Sequence, residues 1–199
     1  MFLPFLNWPF GNLEPESYGL IAADPPWLFK THSDRGLEKS PQAHYRCMSI
    51  DDIKDLPVRD LAAVDCWLML WTSAPMLDRG FDVMRAWGFT YSSRLAWRKT
   101  TRNGRQAMGP GYIVRTMHED ILIGKRGKPD RAKALPSIFD GERREHSRKP
   151  EAFYALAEQF APDARRIDLF SRQSRTGWDA WGNETGLFDN DDANAAVPA

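Results

Sequence analysis

The 199-residue chain carries 27 Lys and Arg against 27 Asp and Glu, with 42% hydrophobic residues and eight tryptophans. That length supports one domain with a substantial core, and the composition excludes fibrous and wholly disordered classes. A net charge of zero argues neither for nor against nucleic acid, but the charge is unevenly spread. From Arg98 to Lys149 there are fourteen Lys or Arg against six Asp or Glu. One basic face on a neutral molecule suits phosphate contact.

Cys47 and Cys66 stand far apart and form no CxxC, so neither a disulfide framework nor a zinc site is expected. His32, His44, His118 and His146 show no ligand spacing, and no metal is expected. Residues 1–10 are apolar but hold two prolines and no Lys or Arg, unlike a signal peptide. No stretch reaches the ~20 apolar residues of a membrane helix. The expected compartment is a reducing cytoplasm.

Residues 1–17 read as irregular. The run Gly19-Leu20-Ile21-Ala22-Ala23 then predicts a buried strand of a parallel sheet. It stops at Asp24-Pro25-Pro26-Trp27, because neither proline can donate to a ladder. Asp24 and Trp27 are thereby placed on a stiff loop at the strand's carboxyl end, where open α/β sheets bind ligands. Residues 28–46 are polar and too long for an ordinary connection, which marks a functional or disordered loop.

Ser49 and Asp52 form a capping-box-like pair ahead of a short helix with Ile50, Ile53 and Leu56 on one face. Residues 65–71 predict a second buried strand. A helix follows, with Pro75 near its first turn, a stripe of Leu77, Phe81 and Met84, and Gly88 just past its end. Residues 91–97 predict a third strand, and strand–helix–strand order implies parallel crossovers. The strand leads into Arg98-Lys99-Thr100-Thr101-Arg102-Asn103-Gly104-Arg105, a basic segment beside Trp97 that suits phosphate contact and base stacking. Residues 119–124 predict a fourth strand, followed by a polar connection to His146. Pro150 and Glu151 open a helix to Phe160, and residues 166–170 predict a fifth strand. The acidic, Ala-rich stretch 186–199 reads as a disordered tail beyond a single domain of residues 1–185.

Asp24-Pro25-Pro26-Trp27 resembles the signature of the MT-A70 family of S-adenosylmethionine-dependent adenine N6-methyltransferases. The resemblance runs over residues 18–185. Trp97-Arg98-Lys99-Thr100 resembles the family's W-x-K-T, and Gly109-Pro110-Gly111-Tyr112 its glycine-plus-aromatic loop. Ser147-Arg148-Lys149-Pro150 resembles S-x-K-P, residues 167–172 resemble I-x-L-F-x-R, and Gly182-Asn183 matches a terminal G-N. The resemblance implies an α/β, Rossmann-like class I methyltransferase sheet in circularly permuted order, with the acceptor motif first and the cofactor half C-terminal.

It implies catalytic roles for Asp24, Pro25, Pro26 and Trp27. Tyr45, Trp97, Lys99, Arg102 and Arg105 would meet the substrate, and the long loop would be a lid. Lys149, Arg172, Asn183 and Glu184 would hold S-adenosylmethionine, with Lys149 equally suited to the acceptor pocket. The chain departs from the pattern at Ser174 and Arg175, where eukaryotic catalytic members carry His and Asn, and at Glu184, where Gln is common. The activity implied is methyl transfer to adenine N6 in nucleic acid, with DNA favoured over RNA. A non-catalytic nucleic-acid-binding partner and a methyltransferase of other amines are the rival readings. No membrane partner is expected, and a homodimer stays open.

Overall fold

The computed structural model describes residues 8–28, 47–111, 113–144 and 148–189. Its centre is a seven-stranded sheet. The strands are β1 (Tyr18–Ala23), β2 (Ala62–Thr72), β3 (Thr90–Thr100), β4 (His118–Arg126), β5 (Ile138–Glu142), β6 (Arg166–Leu169) and β7 (Trp178–Trp181), in spatial order β5-β3-β4-β2-β1-β6-β7. β1 lies between β2 and β6 and runs parallel to both, with Ile21 opposite Leu68 and Ile167. Only β4 is antiparallel to its neighbours.

Alternation along the strands sends two cores to opposite faces. Ile21, Ala23, Leu68 and Leu70 face one side with Ile53, Val83 and Trp87. These last belong to the layer of α1 (Ile50–Lys54), α2 (Val58–Leu61) and α3 (Leu77–Ala86). Leu20, Ala22, Met69 and Trp71 face the other side and pack against Phe153, Ala157 and Phe160 of α4 (Glu151–Phe160). Two buried faces explain why β1 and β2 read as continuous apolar runs rather than alternating ones.

The expected α/β class holds, and the local signals act as read. The Ser49 hydroxyl accepts from the Asp52 amide at the start of α1. Gly88 takes a φ of +79° just after α3, where the Phe89 amide returns to the Met84 carbonyl as the helix closes. A single 3-10 turn, Ala74–Met76, precedes α3.

The structure adds β5 within the connection read as polar, where Phe139 buries its ring among the residues packed on α4. It also adds β7, which extends the sheet beyond β6. Of the segment read as a tail, residues 186–189 are folded onto the domain, with Phe188 buried. No helix among the described residues is long and apolar enough to cross a membrane.

Candidate active site

The carboxyl ends of the parallel strands share one edge of the sheet. Asp24 leaves β1 there, and its amide donates to the Leu169 carbonyl at the end of β6. The proline loop is tied down twice more. The Met48 amide donates to the Pro26 carbonyl, and the Trp27 indole N–H donates to the carbonyl of Trp71 at 3.2 Å. Asp24 therefore projects from a fixed backbone.

Because β4 runs antiparallel, its beginning lies at this same edge, beside the end of β3. Trp97 pairs with Glu119 across the two strands. The Lys99 ammonium meets Glu119 Oε1 at 2.5 Å. Lys149, immediately before α4, lies 2.9 Å from Glu119 Oε2 and 2.9 Å from Asp24 Oδ2. The four side chains form one row: Asp24, Lys149, Glu119, Lys99. Lys149 also caps the face of the Trp71 ring at 4.7 Å.

Lys149 is brought there by a close backbone approach. A Cβ on Gly141 of β5 would lie 2.6 Å from both the Pro150 ring and the Trp97 indole nitrogen. The absent side chain lets the start of α4 settle against β5.

The row sets the protonation of its members. Burial pushes the Asp24 carboxyl upward, and this outweighs the opposing Lys149 charge, with Glu119 adding to the push. Burial would also raise Glu119, but Lys149 and Lys99 together bring it down to about 2. Burial works against the Lys149 charge, yet Asp24 and Glu119 prevail and hold it firmly protonated. Glu119 is thus a fixed anion, Lys149 a fixed cation and Asp24 the adjustable member. Asp24 keeps 29% of its side-chain surface open. Its carboxylate can therefore receive a ligand from the cleft.

Beyond Lys149 the cleft continues into a cavity of about 30 Å³ between β6 and the start of α4. Asp168, Arg172, Gln173, Arg175 and Phe188 line it with Lys149. Tyr154 donates to Asp168 Oδ2 at 2.9 Å, and Arg175 lies over the Tyr154 ring. Burial pushes Asp168 up to about 6, against the pull of Arg175. Phe170 turns the chain out of β6 at a φ of +64°, a left-handed conformation that side chains rarely adopt. A Cβ on Gly182 would come within 2.8 Å of the Ser171 carbonyl. Glycine is required where β7 closes on this turn.

Residues 18–184 match the family model MT-A70. The chain belongs to the MT-A70 family, whose members are S-adenosylmethionine-dependent adenine N6-methyltransferases. Over 90% of its length it is 29% identical to the type II methyltransferase M.MunI of Mycoplasma sp, of which it covers 82%. It is 28% identical to the N(6)-adenosine-methyltransferase MT-A70-like protein of Arabidopsis thaliana, but covers 24% of it. It is 24% identical to the N(6)-adenine-specific methyltransferase METTL4 of Homo sapiens, covering 42%.

The MT-A70 motif residues divide into two groups in space. Asp24, Lys99 and Lys149 converge. Lys149, assigned above to either site, lies between Asp24 and Glu119. Arg172 and Glu184 pair with each other at 2.6 Å near Phe188 rather than lying open. Asn183 is exposed beside them. Trp27 and Trp97 are 6% and 3% exposed, and both rings serve as core packing at the site's floor rather than as open platforms. Arg102 and Arg105 are exposed on a turn beyond β3. Tyr45 and the lid loop, Tyr112 and Ser147 lie outside the described residues.

Sequence reasoning passed over Glu119, Tyr154 and Asp168. An acid inside the apolar run Ile167-Asp168-Leu169 was the available signal. Glu119 read only as a strand start, since its place depends on the direction of β4. A wider, open depression lined by Trp67, Lys125, Lys128 and Arg131 lies toward the amino end of β2, away from this chemistry.

Proposed function

We propose that this chain methylates the N6 amino group of adenine in DNA, with Asp24 and Pro25 gripping that amino group. The observation that carries the reading is the Asp24 carboxylate, fixed at the mouth of β1 and 2.9 Å from a lysine of the C-terminal half. Asp24 keeps part of its side-chain surface open, and the Pro25 carbonyl, which accepts from the Trp27 amide, has a second lone pair, so the pair suits an amine with two N–H donors. Such contacts favour a tetrahedral nitrogen over one conjugated into the purine ring, and so expose its lone pair. Orientation of this kind is worth about 7–11 kcal/mol in favourable intramolecular cases.

Asp24 in its ionised form accepts from the amine and receives a proton as the nitrogen becomes cationic. Lys149 stays charged throughout and holds the second carboxylate oxygen. Glu119 keeps Lys149 in place, and Lys99 keeps Glu119 in place.

S-adenosylmethionine supplies an activated methyl group on a sulfonium. The residues beyond Lys149 fit its chemistry. Arg172 and Arg175 suit its carboxylate, Asp168 suits its ammonium, and Phe170 or Phe188 suits its adenine. Asn183 and Glu184 carry donors and acceptors of the kind that suit ribose hydroxyls. With β6 and β7 following β1 in the chain yet lying beside it in the sheet, we read the order as circularly permuted.

The choice of DNA over RNA follows the similarity to the type II methyltransferase M.MunI, of which this chain covers 82%. Arg102 and Arg105 lie free of the core on the basic side and suit phosphates. Two separated thiols support a reducing, cytoplasmic compartment. Incubation with labelled S-adenosylmethionine and matched DNA and RNA, followed by nucleoside analysis, tests the reading. N6-methyl-2′-deoxyadenosine is expected. Methylated adenosine from RNA alone overturns the choice of DNA, and no methylated adenine in either overturns the activity.

A further inference from the structure

Between Thr100 and His118 the chain carries Arg102, Arg105 and Arg115 and no Asp or Glu. It is a built arm. The Lys99 amide donates to the Met117 carbonyl, and the Ala107 amide donates back to the Lys99 carbonyl. The Gln106 side-chain amide donates to the carbonyls of Lys99 and Met117. Further out, the Gly109 amide meets the Thr116 carbonyl at 2.7 Å, and Arg115 Nε donates to the Gly109 carbonyl. The two feet of this arm are Lys99 and Glu119, hydrogen-bonded to each other in the row that ends at Asp24.

The tip of the arm is apolar and open. Ile113 is 90% exposed and Val114 73%, with Met108 half exposed below them. A Cβ on Gly111 would collide with the Val114 carbonyl, so the backbone of Gly111 approaches that of Val114 closely. The arginines of the arm and its lack of acids call for an anionic partner, and the bare β-branched residues at its tip call for an apolar contact. They suit a polyanion with a stacked apolar interior.

We propose that Ile113 and Val114 form a wedge that enters duplex DNA beside the target adenine and holds the vacated stack open. The proposal rests on the DNA reading above. A base buried in a duplex must be extruded before its amino group can reach Asp24, and apolar side chains inserted between base steps are a known means of unstacking. The arginines contact the flanking phosphates, and the shared feet fix the wedge relative to the acceptor site.

The test uses the full chain and its Ile113→Ser/Val114→Ser variant, with plasmid DNA as duplex and the same DNA heat-denatured. Thymine reactivity toward permanganate on the plasmid reports opening independently of methyl transfer. The wild type is expected to raise that reactivity and the variant is not. The variant is also expected to lose about tenfold or more of its rate on duplex while keeping its rate on denatured DNA within about threefold. Equal rates for variant and wild type on duplex overturn the wedge, as does equal loss on both forms or no permanganate signal from the wild type. Sedimentation of both proteins covers the remaining occupant: dissociation of a dimer by the variant assigns the tip to a second copy and overturns the proposal. A wild type that methylates denatured DNA and leaves duplex untouched sinks the wedge and leaves the activity standing.

Discussion

Lys149 touches Asp24 from 125 positions further along the chain, its ammonium 2.9 Å from Asp24 Oδ2. The contact joins the first strand's acid to the helix that opens the C-terminal half. Lys149 is also the counter-charge to Glu119. Replacing it by methionine leaves two carboxylates facing each other in a crowded cleft. Breaking a buried pair from one side costs roughly 3–5 kcal/mol. Lys149→Met should therefore lower the thermal midpoint by several degrees and abolish methyl transfer, measured by melting and by a labelled-methyl assay. Lys149→Arg should recover the midpoint more fully than the rate, because the longer fork cannot keep both carboxylates in the same places.

Glu119 acts on the reaction through its neighbours. Its charge raises the Asp24 carboxyl, and it shares Lys149 with that residue. Glu119→Gln removes the repulsion and leaves the Lys149 charge to Asp24 alone. The Asp24 carboxyl then falls. Activity that needs Asp24 ionised rises with pH through its pKa, so the acidic limb of the rate profile should move to lower pH in the variant. Cofactor affinity by calorimetry should stay close to wild type. A merely structural role would lower the rate at every pH without moving that limb.

Gly182 lies under the turn after β6, where an added methyl would meet the Ser171 carbonyl at 2.8 Å and the Phe170 backbone at 3.0 Å. Gly182→Ala must push β7 away from that turn. The expected cost is about 1–3 kcal/mol of stability. Cofactor affinity should weaken with it, since Arg172 hangs from the displaced turn. Denaturant titration and calorimetry read the two effects separately.

Asp168 gives the fold a pH dependence of its own. Burial raises its carboxyl from 3.8 to about 6, so the folded chain holds the proton more tightly than the unfolded one. The stabilisation is complete below the ordinary carboxylate value and is lost as pH rises through about 6. Asp168→Asn keeps an acceptor for Tyr154 and removes the titration. The melting temperature of the variant, relative to wild type, should climb across that interval and level off above it.

What was legible in the chain was local. The strand before Asp24 and the prolines that end it follow from chemistry within nine residues. The apolar stripe of α4 and the glycine after α3 are equally local. The direction of β4 is not, because it is fixed by pairing with β2 and β3 rather than by any residue of its own. Glu119 was hidden with it. β5 was missed because Ile138 and Phe139 are its only large apolar residues and charged residues recur on both sides of them. Trp27 and Trp97 carry the right ring for stacking a base, yet the core takes both. Indole N–H groups that reach the Trp71 and Gly141 carbonyls let them be buried at little polar cost. Arg172 and Glu184 were recognised singly, and only the fold shows that they meet.

The most direct measurement is methyl transfer by Asp24→Asn, with cofactor affinity measured on the same preparation. Asparagine preserves size and one acceptor but cannot take the amine's proton or pair with the Lys149 charge. The expected result is loss of N6-methyladenine by about a hundredfold or more with cofactor binding within a fewfold of wild type. A variant that methylates adenine at the wild-type rate would contradict the placement of the acceptor amine at Asp24.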